Sequence, residues 1–235
     1  MNNEQALKIV NEIFQSVFRK ENFSTLDEIK RKYAYDINLP IEVQDSTTGE
    51  TTWTDTKEIN NNYITQKNME SKDYKEGWMI EKKNLQNIKD ILDIWNEINY
   101  KTTERVYNSD NISQSDTLYN CNDAYNSVNC RACNKIIFSE GSGESEYLLA
   151  CKRSGNCNFC IKVDDSGTCS NSYHVICSSK ISNSLFIQDC FNLHECIFCA
   201  HIANKRYCIC NMQLEKEEYF VWKKKIINWI LEIEK

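Results

Sequence analysis

Hydrophobic positions divide the chain into three kinds of pattern. Near the N-terminus Ala6, Ile9, Val10, Ile13, Phe14, Val17 and Phe18 recur at helical spacing, which predicts an amphipathic helix whose apolar stripe needs a partner. Ser24-Thr25-Leu26-Asp27 reads as an N-cap followed by an acid in the first turn, opening a second helix through Tyr35. Pro40, the only proline, sits in extended LPIEV, and VQDSTTGETTW, with Gly49 between threonine-rich arms, predicts a β-hairpin ending at Trp53. A further helix is expected over Leu85 to Ile98, with Ile88, Ile91, Leu92, Trp95 and Ile98 on one side.

From Val106 the pattern changes. Cut into sixes, the chain reads VYNSDN, ISQSDT, LYNCND, AYNSVN, CRACNK and onward to CICNMQ, with the first and fourth places almost all small or aliphatic. Pairing the hexads stacks Gly143, Gly155 and Gly167 in one column and Ile137, Leu149, Ile161, Tyr173, Leu185, Ile197 and Ile209 in another. An eighteen-residue repeat stacks Cys133, Cys151 and Cys169 but scatters those glycines, so twelve is favoured and eighteen is the alternative. An inward residue at every third position, closing after twelve, describes a narrow two-sided parallel β-solenoid in which no coil is stable alone. An interior of Ser and Cys leaves no room for a ligand, which puts any function on the outside or at the ends.

Beyond Gln213, Tyr219, Trp222, Ile226, Ile230 and Ile233 share a helical face widened by Phe220, Ile227 and Leu231. This helix is expected to cap one open end of the solenoid, and the N-terminal region the other, because open ends expose unpaired backbone groups. The expected fold class is thus α+β: a mixed helical domain with a hairpin over 1–105, a hexad-repeat solenoid over 106–213, and a capping helix over 214–235.

Charge and composition narrow the function. The 235 residues carry a net charge of −6 with no basic stretch, which argues against nucleic acid as a partner. No apolar run approaches membrane-span length, and the N-terminus lacks a leader pattern, so the expectation is a cytoplasmic protein with no membrane contact. All 13 cysteines follow residue 120, which points to a local structural cause rather than a secretory disulfide habit.

Three chemistries were open to those cysteines. Cys130/Cys133, Cys157/Cys160 and Cys196/Cys199 are Cys-x2-Cys pairs, and two such pairs would suit tetrahedral zinc. A three-residue inward period produces the same spacing without metal, and Ile181 or Leu193 fills an equivalent slot, so no metal or cofactor is expected and a zinc module built on Cys130, Cys133, Cys157 and Cys160 is the alternative. Disulfides across a coil would need a separation of six, met only by Cys151/Cys157 and Cys190/Cys196; the thiols are expected free, as small apolar side chains. A thiol-dependent enzyme near Cys196 to Cys210 is a further alternative, yet His174, His194 and His201 fall at outward places, and Asp164-Asp165 reads as a charged turn rather than an acid/base dyad.

The coil scheme is similar in geometry to β-helical insect antifreeze proteins, but without their Thr-x-Thr rows. It departs from the hexapeptide acyltransferases, because Leu185/Ile187 and Phe191/Leu193 pair large residues with large. The chain end, NKRYCICNMQLEKEEYF, resembles that of Cys/Asn/Ser hexad-repeat proteins of candidate-phyla bacteria and phages that end in NKxYCIxNxQ followed by EEY, a likeness covering about the last half of the chain. The resemblance implies a repeat architecture with a common closure carried by Asn204, Lys205, Tyr207, Cys208, Asn211 and Gln213, in which Lys205 and Asn211 put large polar groups where inward residues stood. It implies no activity. The functional expectation is a non-enzymatic scaffold within a larger bacterial or phage assembly, contacting a protein partner through Tyr107, Tyr119 and Tyr125, and compatible with a homo-oligomer.

Overall fold

A computed structural model describes residues 1–57, 62–73 and 75–232. Strands from Val106 to Ile209 stack parallel into a β-solenoid of about nine coils, and Met212–Gln213 turns back antiparallel on the last rung. Every parallel rung pairs with one twelve residues away, as in Leu118↔Cys130, Ile136↔Leu148 and Cys196↔Cys208. The twelve-residue coil therefore holds and the eighteen-residue alternative falls.

The backbone repeats at a finer interval. From Asn108 to Cys210 every third residue has a positive φ near 50°, a left-handed conformation that only Gly, Asn and Asp adopt cheaply. Thirteen of these 35 corner positions are Asn or Asp and none is Val or Ile, which accounts for the asparagine richness of the segment. Identical triplets that close after four must each turn the chain by about a quarter-turn. The coil is accordingly four-sided rather than two-sided, with four inward columns. Eleven cysteines fill inward places and are buried; Cys177 and Cys210, at corners, are exposed, and all 13 are free.

The choice of inward residue follows hydrogen-bond accounting. Ile112, Leu118, Ile136, Leu148, Val163, Val175, Ile181, Ile187 and Leu193 all lie within strands. Serine takes the inward places between strands, Ser172 excepted, and Ile202 is the aliphatic exception there. At these places the inward N–H finds a hydroxyl one coil below: Ser139 N donates to Ser127 Oγ at 3.1 Å, and Cys190 N to Ser178 Oγ at 3.0 Å. The same hydroxyls donate to the carbonyl two residues back, Ser127 to Tyr125 at 3.0 Å and Ser178 to Ile176 at 2.8 Å. Cysteine can take either place, since Cys151 Sγ accepts from Val163 N at 3.5 Å and lies against Leu149 O at 3.5 Å. These inward N–H donors are thereby satisfied without water.

Among the described residues, five helices and four further strands lie outside the coils. Helix α1 (Asn3–Phe18) buries the whole stripe expected of it, against the outward column Tyr125, Ile137, Leu149, Ile161 and Tyr173. Helix α2 (Leu26–Tyr33), opened by a Thr25–Glu28 capping box, joins the same core. Strands β1 (Ile41–Gln44) and β2 (Thr51–Thr54) make the expected antiparallel hairpin, with Gly49 at φ 76°. Strand β3 (Asn62–Thr65), the short helix α3 (Gln66–Glu70) and strand β4 (Tyr100–Thr103), which pairs parallel with β3, complete this block. It sits on the first coil: Asp116, fully buried, accepts from Asp55 N and Arg105 N, and Val106 N donates to Gln66 Oε1. Helix α4 (Ile88–Ile98) lies beyond it.

The N-terminal region meets the first coil through the β1–β4 block and α3, while α1 and α2 lie along the solenoid's flank, because the apolar stripe of α1 finds its match in an outward column. Helix α5 (Lys216–Glu232) packs on the last coil, with Tyr219 and Phe220 against Tyr207, and extends along that flank, where Lys223 Nζ bonds Asn183 O at 2.9 Å and Glu195 Oε2 at 2.6 Å. Tyr219, Ile227 and Ile230 are its buried face, Trp222 and Phe220 are exposed, and Ile233 lies outside the described residues.

Candidate interaction surface

Helices α1 and α5 cover one side of the four-sided rod. The outward column six residues away, on the opposite side, carries Tyr107, Tyr119, Arg131, Gly143, Gly155, Gly167, Ser179 and Phe191 on successive rungs. Tyr107 and Tyr119 are 38% and 43% exposed and stack at 4.9 Å between centroids, 12° from parallel. Phe191, 46% exposed at the other end, has Lys180 Nζ 5.1 Å from its ring centre. Aromatic anchors at the two ends of a stiff frame thus bracket a row whose three central rungs, between Arg131 and Ser179, carry no side chain.

The glycines of that strip are not demanded by the backbone. None of Gly143, Gly155 and Gly167 has a positive φ, and a Cβ on each would meet only a neighbouring carbonyl oxygen at 3.7–3.8 Å, an ordinary contact. Glycine inside a strand costs roughly 0.5–1 kcal/mol relative to alanine. Three on consecutive rungs of an uncovered face suit close approach by another backbone.

Tyr125 does not belong to this surface. It occupies the column under α1, is buried, and donates its hydroxyl to Asn3 Oδ1 at 2.9 Å. Its place twelve residues before Ile137 was the available signal, since both belong to one apolar ladder.

The cysteine and histidine chemistry separates into isolated parts. Cys130 and Cys133 lie on adjacent columns of one coil, stacked on Leu118 and in line with Cys121, and Cys157/Cys160 lie about two coils further, near 10 Å away at the usual strand spacing. Among the described residues no group of three or more His, Cys, Asp and Glu converges on a point that could hold a metal ion. Burial pushes the Cys130 thiol up to about 12 and raises Cys151 further, which favours the neutral thiol. His194 Nδ1 pairs with Ser182 Oγ at 2.8 Å, and His174 is half-buried against Tyr173 and Phe186 with its basicity lowered by burial. His201, the exposed one, lies 3.8 Å from Asp189 on the corner column of Cys177, two coils from that thiol and beyond hydrogen-bond reach. Arg153 holds Asp164 and Asp165 at 2.8 and 2.6 Å, a surface ion-pair cluster.

At the C-terminal end the motif residues stand as follows. Asn211 Nδ2 donates to Ala200 O at 2.9 Å and its Oδ1 accepts from Ala200 N at 3.1 Å, so one side-chain amide takes both bonds of a missing rung. Gln213 Nε2 donates to Arg206 O at 2.6 Å, Asn204 Oδ1 accepts from Asn192, and Tyr207 packs on Tyr219 and Phe220. Cys208 stays buried while Lys205, opposite Leu193 in the ladder, is exposed. The bond from Gln213 to Arg206 O has no periodic signal in the sequence, because the side chain bonds outside its own column.

No helix among the described residues is long and apolar enough to cross a membrane. Compared with known proteins, the chain matches no family model, no curated protein and no solved structure.

Proposed function

We propose that this chain is a non-enzymatic scaffold that presents the uncovered face of a rigid solenoid to a protein partner, as one component of a larger bacterial or phage assembly. The observation that carries the reading is the row running from the stacked Tyr107 and Tyr119, across three bare glycine rungs, to Phe191, on the side opposite the helices. Buried aromatic anchors dominate many interfaces, and a flat backbone strip between them favours an extended partner segment laid along the rod. The stiffness of a ladder-bonded frame lowers the ordering cost of such a contact.

The test is site-specific photo-cross-linking in native cells. A benzophenone side chain at position 119 or 191 should capture the same protein from both ends of the row, and one at position 20, beside the helix-covered flank, should not. Capture from position 20 alone, or of unrelated proteins from 119 and 191, would remove the reading. Glycine-to-threonine substitution in the strip supplies an independent arm, since it fills the row without disturbing any inward column.

A further inference from the structure

Helices α1 and α5 divide one flank of the solenoid between them. Helix α1 covers the outward ladder from Tyr125 to Tyr173, and α5 packs further along the same flank, held at Asn183 and Tyr207. At their seam lies a cleft of about 400 Å³, within the size range of small-molecule sites. Val17, Phe18, Phe220 and Ile227 form its apolar wall, with Phe220 41% exposed.

Four cations line the same cleft, Arg19, Lys20, Lys223 and Lys224, against one carboxylate, Glu195. Lys223 and Glu195 satisfy each other: Lys223 Nζ lies 2.6 Å from Glu195 Oε2 and 2.9 Å from Asn183 O, and both side chains are mostly buried. That pair uses up the only carboxylate of the lining. The side chains of Arg19, Lys20 and Lys224 have no hydrogen-bond or ion-pair partner among the described residues, and Glu21 lines the neighbouring groove without pairing to any of them. Three unpaired cations thus gather at one seam of a chain whose net charge is −6, where they repel one another. The dipole of α1 favours cations at its C-terminus, which accounts for Arg19 and Lys20. It does not account for Lys224, which lines the cleft from the middle of α5. Arg19 also ends its helix at φ 57°, a position that glycine or asparagine fills at least cost. The choice of arginine there follows from what its guanidinium can hold.

We propose that the cleft between α1 and α5 binds a small aromatic carboxylate, its ring against Phe220 and Ile227 and its carboxylate held by Arg19, Lys20 and Lys224. Arginine supplies the planar fork that matches two carboxylate oxygens, and the lysines add charge. The apolar wall selects an organic anion over an inorganic one, which would leave Phe220 and Ile227 in water.

Amide shifts of the isotope-labelled full chain, titrated with 3-phenylpropionate to about 10 mM, test the proposal. Saturable shifts should appear over Val17 to Lys20 and Phe220 to Asn228 with a Kd below about 1 mM, and none at Gly143, Gly155 or Gly167. On the same parent protein, 3-phenylpropanol, which keeps the ring and lacks the charge, should bind about tenfold more weakly or worse, and so should inorganic phosphate, which lacks the ring. Lys20→Glu combined with Lys224→Glu should weaken phenylpropionate by about tenfold or more with an unchanged thermal melt, because both side chains are exposed and unpaired. The absence of saturable shifts at the cleft by about 10 mM overturns the proposal. So does phenylpropanol binding as tightly as phenylpropionate, which would leave an apolar crevice, or phosphate doing so, which would leave a plain cationic patch. An affinity that survives the double charge reversal overturns it as well. The outcome is independent of the partner-binding row, which lies on the opposite side of the rod.

Discussion

Replacing Ser127 with alanine isolates the role of the inward hydroxyls. Ser127 and Ser139 are both fully buried, and Ser139 N lies outside any strand, with Ser127 Oγ at 3.1 Å as its acceptor. Alanine removes that acceptor and also the 3.0 Å donation to Tyr125 O, whose carbonyl keeps Phe138 N at 3.1 Å. The penalty is therefore one orphaned buried N–H, about 1–3 kcal/mol, rather than a lost methyl-sized contact. A value near 2 kcal/mol corresponds to a melting temperature lower by about 4–8 °C at this chain length. It corresponds also to about 30-fold faster exchange of the Ser139 amide where exchange proceeds by local opening. Ser127→Cys should recover most of the loss, because Cys151 already serves Val163 N in this way. The assay is urea unfolding of the three proteins with amide exchange read at Ser139. An alanine variant within about 0.5 kcal/mol of the parent, with unchanged exchange at that amide, would refute the account, since solvent or a shifted carbonyl would then be satisfying the donor.

Other outcomes follow from the same geometry. Native alkylation should modify Cys177 and Cys210 and spare the other 11 thiols until the chain unfolds, which intact-mass measurement will count. Glu144 is an exposed corner residue at φ 49°, so Glu144→Asn should stabilise by about 0.5–1 kcal/mol and Glu144→Ile should destabilise by at least as much in denaturant titration. Gly155→Thr should leave the fold as stable or about 0.5–1 kcal/mol more stable while abolishing cross-linking from position 119. Burial alone would raise the Asp45 carboxyl, but donors from Thr47, Thr65 and Asn68 hold it well below the usual range. Its contribution is complete above the unfolded value near ~4 and is lost as pH falls below it; exchange in the β1–β4 block should rise there first, and Asp45→Asn should flatten the pH dependence.

The sequence carried the coil because an inward place recurs every third residue whatever fills it. Cys130 and Cys133 were legible as inward neighbours for that reason, and α1 was legible because a helical stripe is a property of one segment. Direction and partnership were harder. The column Ile137, Leu149 and Ile161 announces the period but not that it faces outward beneath α1, since a column looks the same whether it lines an interior or seats a helix. Asn or Asp at every third place was visible, and it marks left-handed corners; taken only as composition, it hid the four-sided section. The division between aliphatic and serine places could not be read without knowing which N–H groups the strands leave over. The uncovered face was half legible: Tyr107 and Tyr119 stood out as aromatics, whereas Gly143, Gly155 and Gly167 served to fix the period and gained meaning only when their φ angles proved unremarkable.

Stability and recognition are separated by residue place in this architecture. Inward places are governed by volume and by hydrogen-bond accounting, so Ser, Cys and aliphatics exchange there according to whether the local backbone pairs within a strand. Corner places are governed by the left-handed backbone. Outward places escape both constraints on the sides no helix covers, and a residue held there against local preference needs an external reason. The glycine rungs are such residues on the open face. Loss of partner capture on filling the strip, with stability kept, would place that reason outside the chain. Retained capture would return the glycines to chance and leave the aromatic ends to carry recognition by themselves.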